Sequence, residues 1–539
     1  MGLDRLLYRA DGRPRLLLPA LVAFGLTVAA GFAVVSLARR PPTDVERAAT
    51  LSRSEKHGAA EALYVRLLAK EPTVPLLLAL VDNHERGLAG EAKKRLSGEE
   101  RSGLPDATDR VMSDDELERV LSALPADLSL VARFVESSDG AADADVRASI
   151  EAGARRVPPV PWYNHLLAED ALHRGDDPAA ADYYEREGLF FAARHDDVDE
   201  AFDIWMNAEE WDRVRQRLAD PRVWAAAGPE TKARFATHEQ DWRGAARWTA
   251  AGYKDRLAAW TLAMSGVSAL AWGLFCARFG RIGERPLRRS LFFLAAFVLG
   301  VLSVGPTVLL IMIEEAKLKL VETGDAARDI LFFVFGVALR EEASKLLLFA
   351  ALLPALRRWG DKLDVLVCGA FVGLGFAAEE NLGYLAGGDL HESLGRFLTA
   401  NFFHMALTGT LAASLYDFVT DPERNASQFM TTSLMIVGLH GAYDFLISHS
   451  EYGGSYLSMV VFVFLTQLFL RSLASWRPKV DRGLSPLHAF VLAAAVVTGV
   501  SAVRASTMVG PIDAALVMGE GLAGEAVIMV IFVRTLRSL

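Results

Sequence analysis

The sequence predicts an all-α protein: a polytopic bundle of about nine to ten transmembrane helices, with a soluble, repeat-like α-helical domain inserted after the first span. Three observations carry this. Mean hydropathy is positive, +0.22, and 52% of the 539 residues are hydrophobic, which argues against a purely water-soluble chain. Charged residues nonetheless make up 23%, an ordinary share for a globular protein. The charge is also segregated: residues 38–256 hold 31 Lys+Arg against 42 Asp+Glu, a net −11, while residues 1–37 carry +2 and residues 257–539 carry −1. An acidic chain gives no reason to expect nucleic acid as a partner. The only cysteines, Cys276 and Cys368, lie in apolar runs, which excludes a disulfide framework and a thiolate metal cluster.

The elements follow in order. Residues 1–15 are a short basic N-terminus. Residues 16–37 form an uncharged apolar run long enough to cross a bilayer. That run exceeds the roughly 7–15 residues of a signal-peptide core, so it reads as a retained anchor.

Residues 38–256 read as helical, rich in Ala, Leu, Glu and Arg with short turns at Gly, Asp or Pro. Ala60, Tyr64, Leu67 and Pro72 have the spacing of the second helix of a tetratricopeptide repeat, and Ala180 with Tyr184 repeats the idea. Further helix starts follow at His195 and Asp241. The period is irregular, so an ordinary α-helical domain fits equally well. Either form suits binding a protein partner rather than chemistry. His57, His84, His165, His173, His195 and His238 are scattered and expected at the surface.

Residues 257–539 supply the remaining expected spans, about 257–277, 290–313, 330–356, 363–385, 397–419, 428–448, 456–470, 486–503 and 513–533. Lys and Arg in the short loops split 19 to 5 between the two sides, alternating through all ten spans. The basic side is cytoplasmic. Both termini are therefore expected in the cytoplasm and 38–256 outside it, in an integral protein of a bacterial cell (inner) membrane.

Four consecutive spans are not clean. Residues 330–356 carry Arg340, Glu341, Glu342 and Lys345; 363–385 carry Glu379 and Glu380; 397–419 carry His404; 428–448 carry His440 and Asp444. A charge near a helix centre costs about 2.5–3.5 kcal/mol on insertion scales, so these groups are expected to meet around a polar cavity. Glu341 and Lys345, Glu380 and Tyr384, His404 and Thr408, and His440 and Asp444 are each four apart, hence on one helix face. With a 1.5 Å rise, Glu341 lies roughly 16 Å below the outer surface, Glu380 roughly 8–10 Å, His404 roughly 10 Å and His440 roughly 12 Å, a common outer layer. Any one pair alone could be a structural ion pair; four together favour function. Glu520 and Glu525 are expected to be structural or cavity-lining, and Glu314 and Glu315 solvated. Glu and His serve as general base and acid, and two of each also suit a divalent ion such as zinc.

EEASK (Glu341–Lys345), GFAAEENLGY (Gly375–Tyr384), His404 in FFHMALTGT and HGAYD (His440–Asp444) resemble the four motifs of PrsW-type intramembrane proteases, relatives of the CAAX prenyl proteases. The resemblance covers about 120 residues, roughly 330–450. It implies an endopeptidase acting on a membrane-anchored protein substrate, and the family includes members that make the first (site-1) cut in anti-sigma factors. It implies that Glu341 or Glu342 activates water, Glu341 first. Glu380, His404 and His440 would then bind a metal or stabilise the oxyanion, with Glu341 as a further metal ligand. Asp444 would complete the His440 site, Lys345 would balance the carboxylates, and Glu379, Asn381 and Tyr384 would support them. Zinc or another divalent metal and a metal-free glutamate mechanism both fit. The large helical domain departs from the compact family core. A proton-coupled transporter, or a scaffold whose helical array recruits partners, shares part of the pattern.

Overall fold

The computed structural model describes residues 16–38, 42–97, 110–136, 144–279, 286–318, 320–386, 392–449, 454–476 and 485–538. Among these, no strand occurs. The chain forms two compact units, one of residues 1–41 with 256–539 and one of residues 42–255.

Among the described residues of the 42–255 unit there are thirteen α-helices, from Asp44–Arg53 to Trp242–Gly252. One turn geometry recurs. Lys56, Asp176, Glu210 and Asp241 each donate a backbone N–H five residues back, to Leu51, Ala171, Trp205 and Ala236. The residue before each donor, Glu55, Gly175, Glu209 or Gln240, has positive φ. This is the Schellman ending, which reverses the chain within three residues. Asp176 and Asp241 then cap the following helices through Ala179 N and Gly244 N. The core between the hairpins gathers Tyr184, Val198, Phe202, Trp205 and Val214. Here one expectation fails: His84 is not a surface residue. It is buried between Glu61, at 2.8 Å, and Asp114, at 3.1 Å, because Glu61 is itself 1% exposed and needs a partner.

In the other unit every expected span falls on helix. Among the described residues, six helices are long and apolar enough to cross a membrane by length and composition: 17–35, 259–279, 286–314, 422–448, 456–476 and 486–509. The expected spans outside this set are 330–356, 363–385, 397–419 and 513–533. The first three carry ionisable side chains that lower their hydropathy. Three expected spans are interrupted; in 397–419 the break falls at Thr399, between Glu392–Leu398 and Ala400–Thr420. Pro286–Leu302 and Val304–Leu318 part at Ser303, and Leu339–Ala350 ends two residues before Leu353–Trp359. Pro306 and Pro354 explain these last two breaks, since each lacks the N–H owed to the carbonyl four residues back.

Close backbone approach sets the centre of this unit. A Cβ on Gly373 would lie 2.2 Å from the His404 carbonyl oxygen, and one on Gly375 would lie 2.1 Å from that of Phe297. Glycine at both positions lets the Lys362–Ala386 helix sit against Ala400–Thr420 on one side and Pro286–Leu302 on the other. Around Trp272, Phe275, Phe402, Phe490 and Phe532 form the main aromatic packing. A π-helical segment, Phe332–Ala338, leads into Leu339–Ala350. It packs on Gly441, where a Cβ would be 2.6 Å from Val334 Cα. That contact places the start of the EEASK helix beside His440.

Candidate active site

Three helices converge on one ammonium group. Lys345, fully buried, donates to Glu341 Oε2 at 3.2 Å, Glu342 Oε1 at 2.8 Å and His404 Nδ1 at 2.9 Å. Its Nζ also lies 3.8 Å from the Phe376 ring centroid. Glu341 and Glu342 come one turn earlier on the same helix, so the i, i+3 and i, i+4 spacing brings both to the lysine.

The two carboxylates differ in freedom. Glu342 is 1% exposed, and Thr408 Oγ1 donates to its second oxygen at 3.2 Å. His440 Nδ1 lies 3.1 Å from Glu342 Oε1. Glu341 makes its contacts through Oε2, with Lys345 at 3.2 Å and His440 Nε2 at 3.8 Å. Among the described residues, Glu341 Oε1 has no protein partner.

The rest of the set closes around this pair. His404 Nε2 meets Glu380 Oε2 at 3.0 Å, and His440 Nε2 meets Asp444 Oδ2 at 3.3 Å. The His404 and His440 rings lie 5.3 Å apart, edge to face. Glu380 and Asp444 are the more open carboxylates, with side chains 24% and 27% exposed. Of the Glu379–Glu380 pair, Glu380 carries the contacts to His404 and Arg396. Asn381 is buried next to it, and Tyr384 is half-exposed beneath the Arg396 guanidinium, 3.7 Å from the ring centroid.

Glu341, His404 and His440 each bring a ligand atom within 4.8 Å of the others. One carboxylate and two imidazoles make a three-ligand set of the kind that leaves a position open on catalytic zinc. His440 Nδ1 is buried and has no well-aligned hydrogen bond among the described residues, despite its proximity to Glu342. These residues therefore fit a divalent ion. Glu380 stands outside the compact trio, held by Arg396 Nη2 at 2.9 Å.

Sequence reasoning missed several participants. Arg396 is one of the five basic residues on the less basic side of the short loops, yet it contacts Glu380, Asn381 and Tyr384. Phe376 and Asn401 carried no charge to flag them. Glu314 is not simply solvated, because Arg340 Nη1 pairs with it at 2.7 Å and both side chains are largely buried. The side chains of Glu315, Glu520 and Glu525 lie outside the described residues. A separate group, Glu322, Asp329 and His449, also gathers ligand atoms within 4.8 Å. Asp329 accepts from Thr323 N and Oγ1 and from Gly324 N, which makes it a loop anchor tied to His449 at 3.1 Å.

Residues 288–469 match the family described as PrsW family intramembrane metalloprotease. Protease PrsW of Clostridioides difficile (strain 630) is 26% identical over 192 residues, which cover 34% of this chain and 79% of that protein. No solved structure matches the chain. The matched stretch contains every residue of the cluster. The similarity to PrsW-type proteases covers residues 288–469 and supports a peptidase within an integral membrane protein.

Proposed function

Given that PrsW-type match, we propose that the chain is an intramembrane endopeptidase that hydrolyses peptide bonds of membrane-anchored proteins, with Glu341 as the base. The observation that carries the assignment is the asymmetry of the glutamate pair. Glu342 is locked by Lys345, Thr408 and His440 and serves as scaffold. Glu341 is oriented through Oε2 and keeps Oε1 for water.

The chemistry follows from these positions. Water adds to the scissile carbonyl carbon and its proton passes to Glu341 Oε1. The carbonyl π pair moves onto oxygen, and the new negative charge is met by His440, which Asp444 orients. Collapse breaks the C–N bond, and the leaving amine takes the proton from Glu341. His404, held between Lys345 and Glu380, fixes the distance between the EEASK helix and Ala400–Thr420. An ion on Glu341, His404 and His440 would supply Lewis-acid polarisation and a more acidic water.

The loop charge split of 19 to 5 supports cytoplasmic termini and an extracytoplasmic 38–256 domain, and the similarity to a bacterial PrsW supports a bacterial cell membrane. The recurrent Schellman turns at Gly175, Glu209 and Gln240, spaced near the roughly 34 residues of a tetratricopeptide repeat, support a helical array that binds substrate or a protein partner. The test is cleavage of a purified single-span membrane reporter. Glu341→Gln should remain folded and lose cleavage; a variant cutting at the wild-type rate would sink the assignment.

A further inference from the structure

One hydrogen-bond chain beside the cluster has its direction fixed from end to end, and its last donor has no taker. Arg396 only donates, because a guanidinium has no acceptor. Its Nε donates to Asn381 Oδ1 at 2.5 Å. That sets the Asn381 amide with oxygen toward Arg396 and nitrogen toward Asn401. Asn381 Nδ2 accordingly donates to Asn401 Oδ1 at 3.0 Å. The second amide is now set as well, so the flip ambiguity that attends an isolated asparagine does not arise. Asn401 Nδ2 is left over. The residue is 0% exposed, and its NH2 has no partner among the described residues.

Buried amide donors are nearly always satisfied, so an unclaimed one in a packed membrane domain points to a ligand. Its place in the fold narrows the ligand. Asn401 lies three residues before His404 on the same helix, one turn away on the same face. Asn381 directly follows Glu380. Arg396 drives both branches: it donates to Glu380, which meets His404, and to Asn381, which meets Asn401. The guanidinium therefore holds one reacting-side carboxylate and polarises the donor next to it.

We infer that Asn401 Nδ2 is the hydrogen-bond donor to the scissile carbonyl oxygen of the substrate, oriented by Arg396 through Asn381. This deepens the peptidase reading and rests on it. The amide would meet the oxygen as the carbonyl π pair moves onto it, alongside His440, and no proton is transferred from Asn401. Arg396 and Asn381 are positioning residues.

The full chain in proteoliposomes, with a single-span membrane reporter that the wild type cuts, tests this. Asn401→Asp keeps the shape and replaces the donor with an acceptor; Asn401→Leu removes both. Each should lower kcat about 10²–10³-fold with KM within about threefold, the size seen when an oxyanion donor is lost. A peptide aldehyde, whose hydrate mimics the tetrahedral adduct, should weaken by the same factor as kcat/KM, whereas a merely structural asparagine would leave its inhibition constant unmoved for the folded fraction. If Asn401 variants do not fold, Asn381→Asp serves instead. It cannot donate to Asn401 and should lower kcat while leaving KM in place. Asn401 variants that cut at wild-type kcat while Glu341→Gln is inactive would overturn the inference and leave the peptidase reading standing. Glu341→Gln cutting normally would overturn both.

Discussion

In the 42–255 unit, buried Asp170 is met by two guanidinium groups, Arg147 at 2.6 Å and Arg174 at 2.9 Å. In the membrane unit, Lys345 stands alone among Glu341, Glu342 and His404. The first arrangement is saturated: the arginine forks hold the Asp170 carboxyl below its ordinary range, although burial pushes the other way. Glu185 is matched likewise by Arg217. The second is short of cations: among the described residues, Glu341, Glu342, Glu380 and Asp444 face only Lys345, Arg396 and two histidines. A satisfied ion pair stabilises or specifies a fold but leaves nothing to react. A carboxylate sharing its cation keeps an oxygen for water. The two regions spend similar residue types on opposite ends.

The comparison breaks most sharply at Glu341. Glu341→Gln should cost about 10²–10⁴-fold in kcat, the range of a lost general base, with the unfolding transition in place. Treating the purified wild type with a strong chelator should likewise abolish cleavage, and added zinc should restore it, because Glu341, His404 and His440 form a fitting ligand set. Metal analysis of Glu341→Gln, His404→Ala and His440→Ala should show a depleted ion. Full cleavage in chelator would show that the site works with its protein cations, Lys345 and Arg396, alone.

Lys345→Met comes next. It leaves Glu342 buried without its cation and should cost about 3–5 kcal/mol of stability, read by thermal unfolding in detergent. Its counterpart Arg174→Ala should cost no more than about 1 kcal/mol, because Arg147 still holds Asp170 and Arg174 is largely exposed. Equal losses would erase the distinction between shared and saturated cations.

His84 sharpens the contrast with the membrane histidines, which belong to the proposed catalytic cluster. Burial disfavours its charged form, but the hydrogen bonds to Glu61 and Asp114 outweigh this and raise its pKa. A raised folded-state pKa gives stability that is full below the ordinary value near 6.5 and fades as pH climbs through the folded value. His84→Gln should therefore destabilise by about 1–3 kcal/mol at pH 6 and by less at higher pH. A pH-independent difference would mean the ring is neutral in the folded protein.

Much of this was legible in the sequence. Spans and motifs announced themselves because a charge in an apolar run has few innocent explanations, so Glu341, Glu342, Lys345, Glu380, His404, His440 and Asp444 stood out. Asn401 and Phe376 were invisible, since an uncharged residue in a membrane helix looks like packing. Arg396 was read for its charge at a span end, but its role depends on where the helix folds it. The breaks at Ser303 and Ala351 had visible prolines, yet hydropathy averages run straight through them. His84 was misread because its partners, Glu61 and Asp114, lie 23 and 30 residues away.

The recurring turn of the 42–255 unit was blurred for a backbone reason, and that gives the smallest test. Four turns share one hydrogen bond and one left-handed residue, but only Gly175 advertises it; Glu55, Glu209 and Gln240 adopt φ of 57°, 62° and 60° without glycine. A side chain in that region costs roughly 1–2 kcal/mol, whereas glycine adopts it freely but gives up more entropy on folding. Glu209→Gly should therefore stabilise the unit by somewhat less than about 1 kcal/mol, seen as a rise in the unfolding midpoint with cleavage unchanged. Gly175→Ala should do the reverse by a similar amount. If Glu209→Gly destabilises instead, the glutamate side chain contributes more at that turn than its backbone strain removes, and the four turns are alike in geometry only.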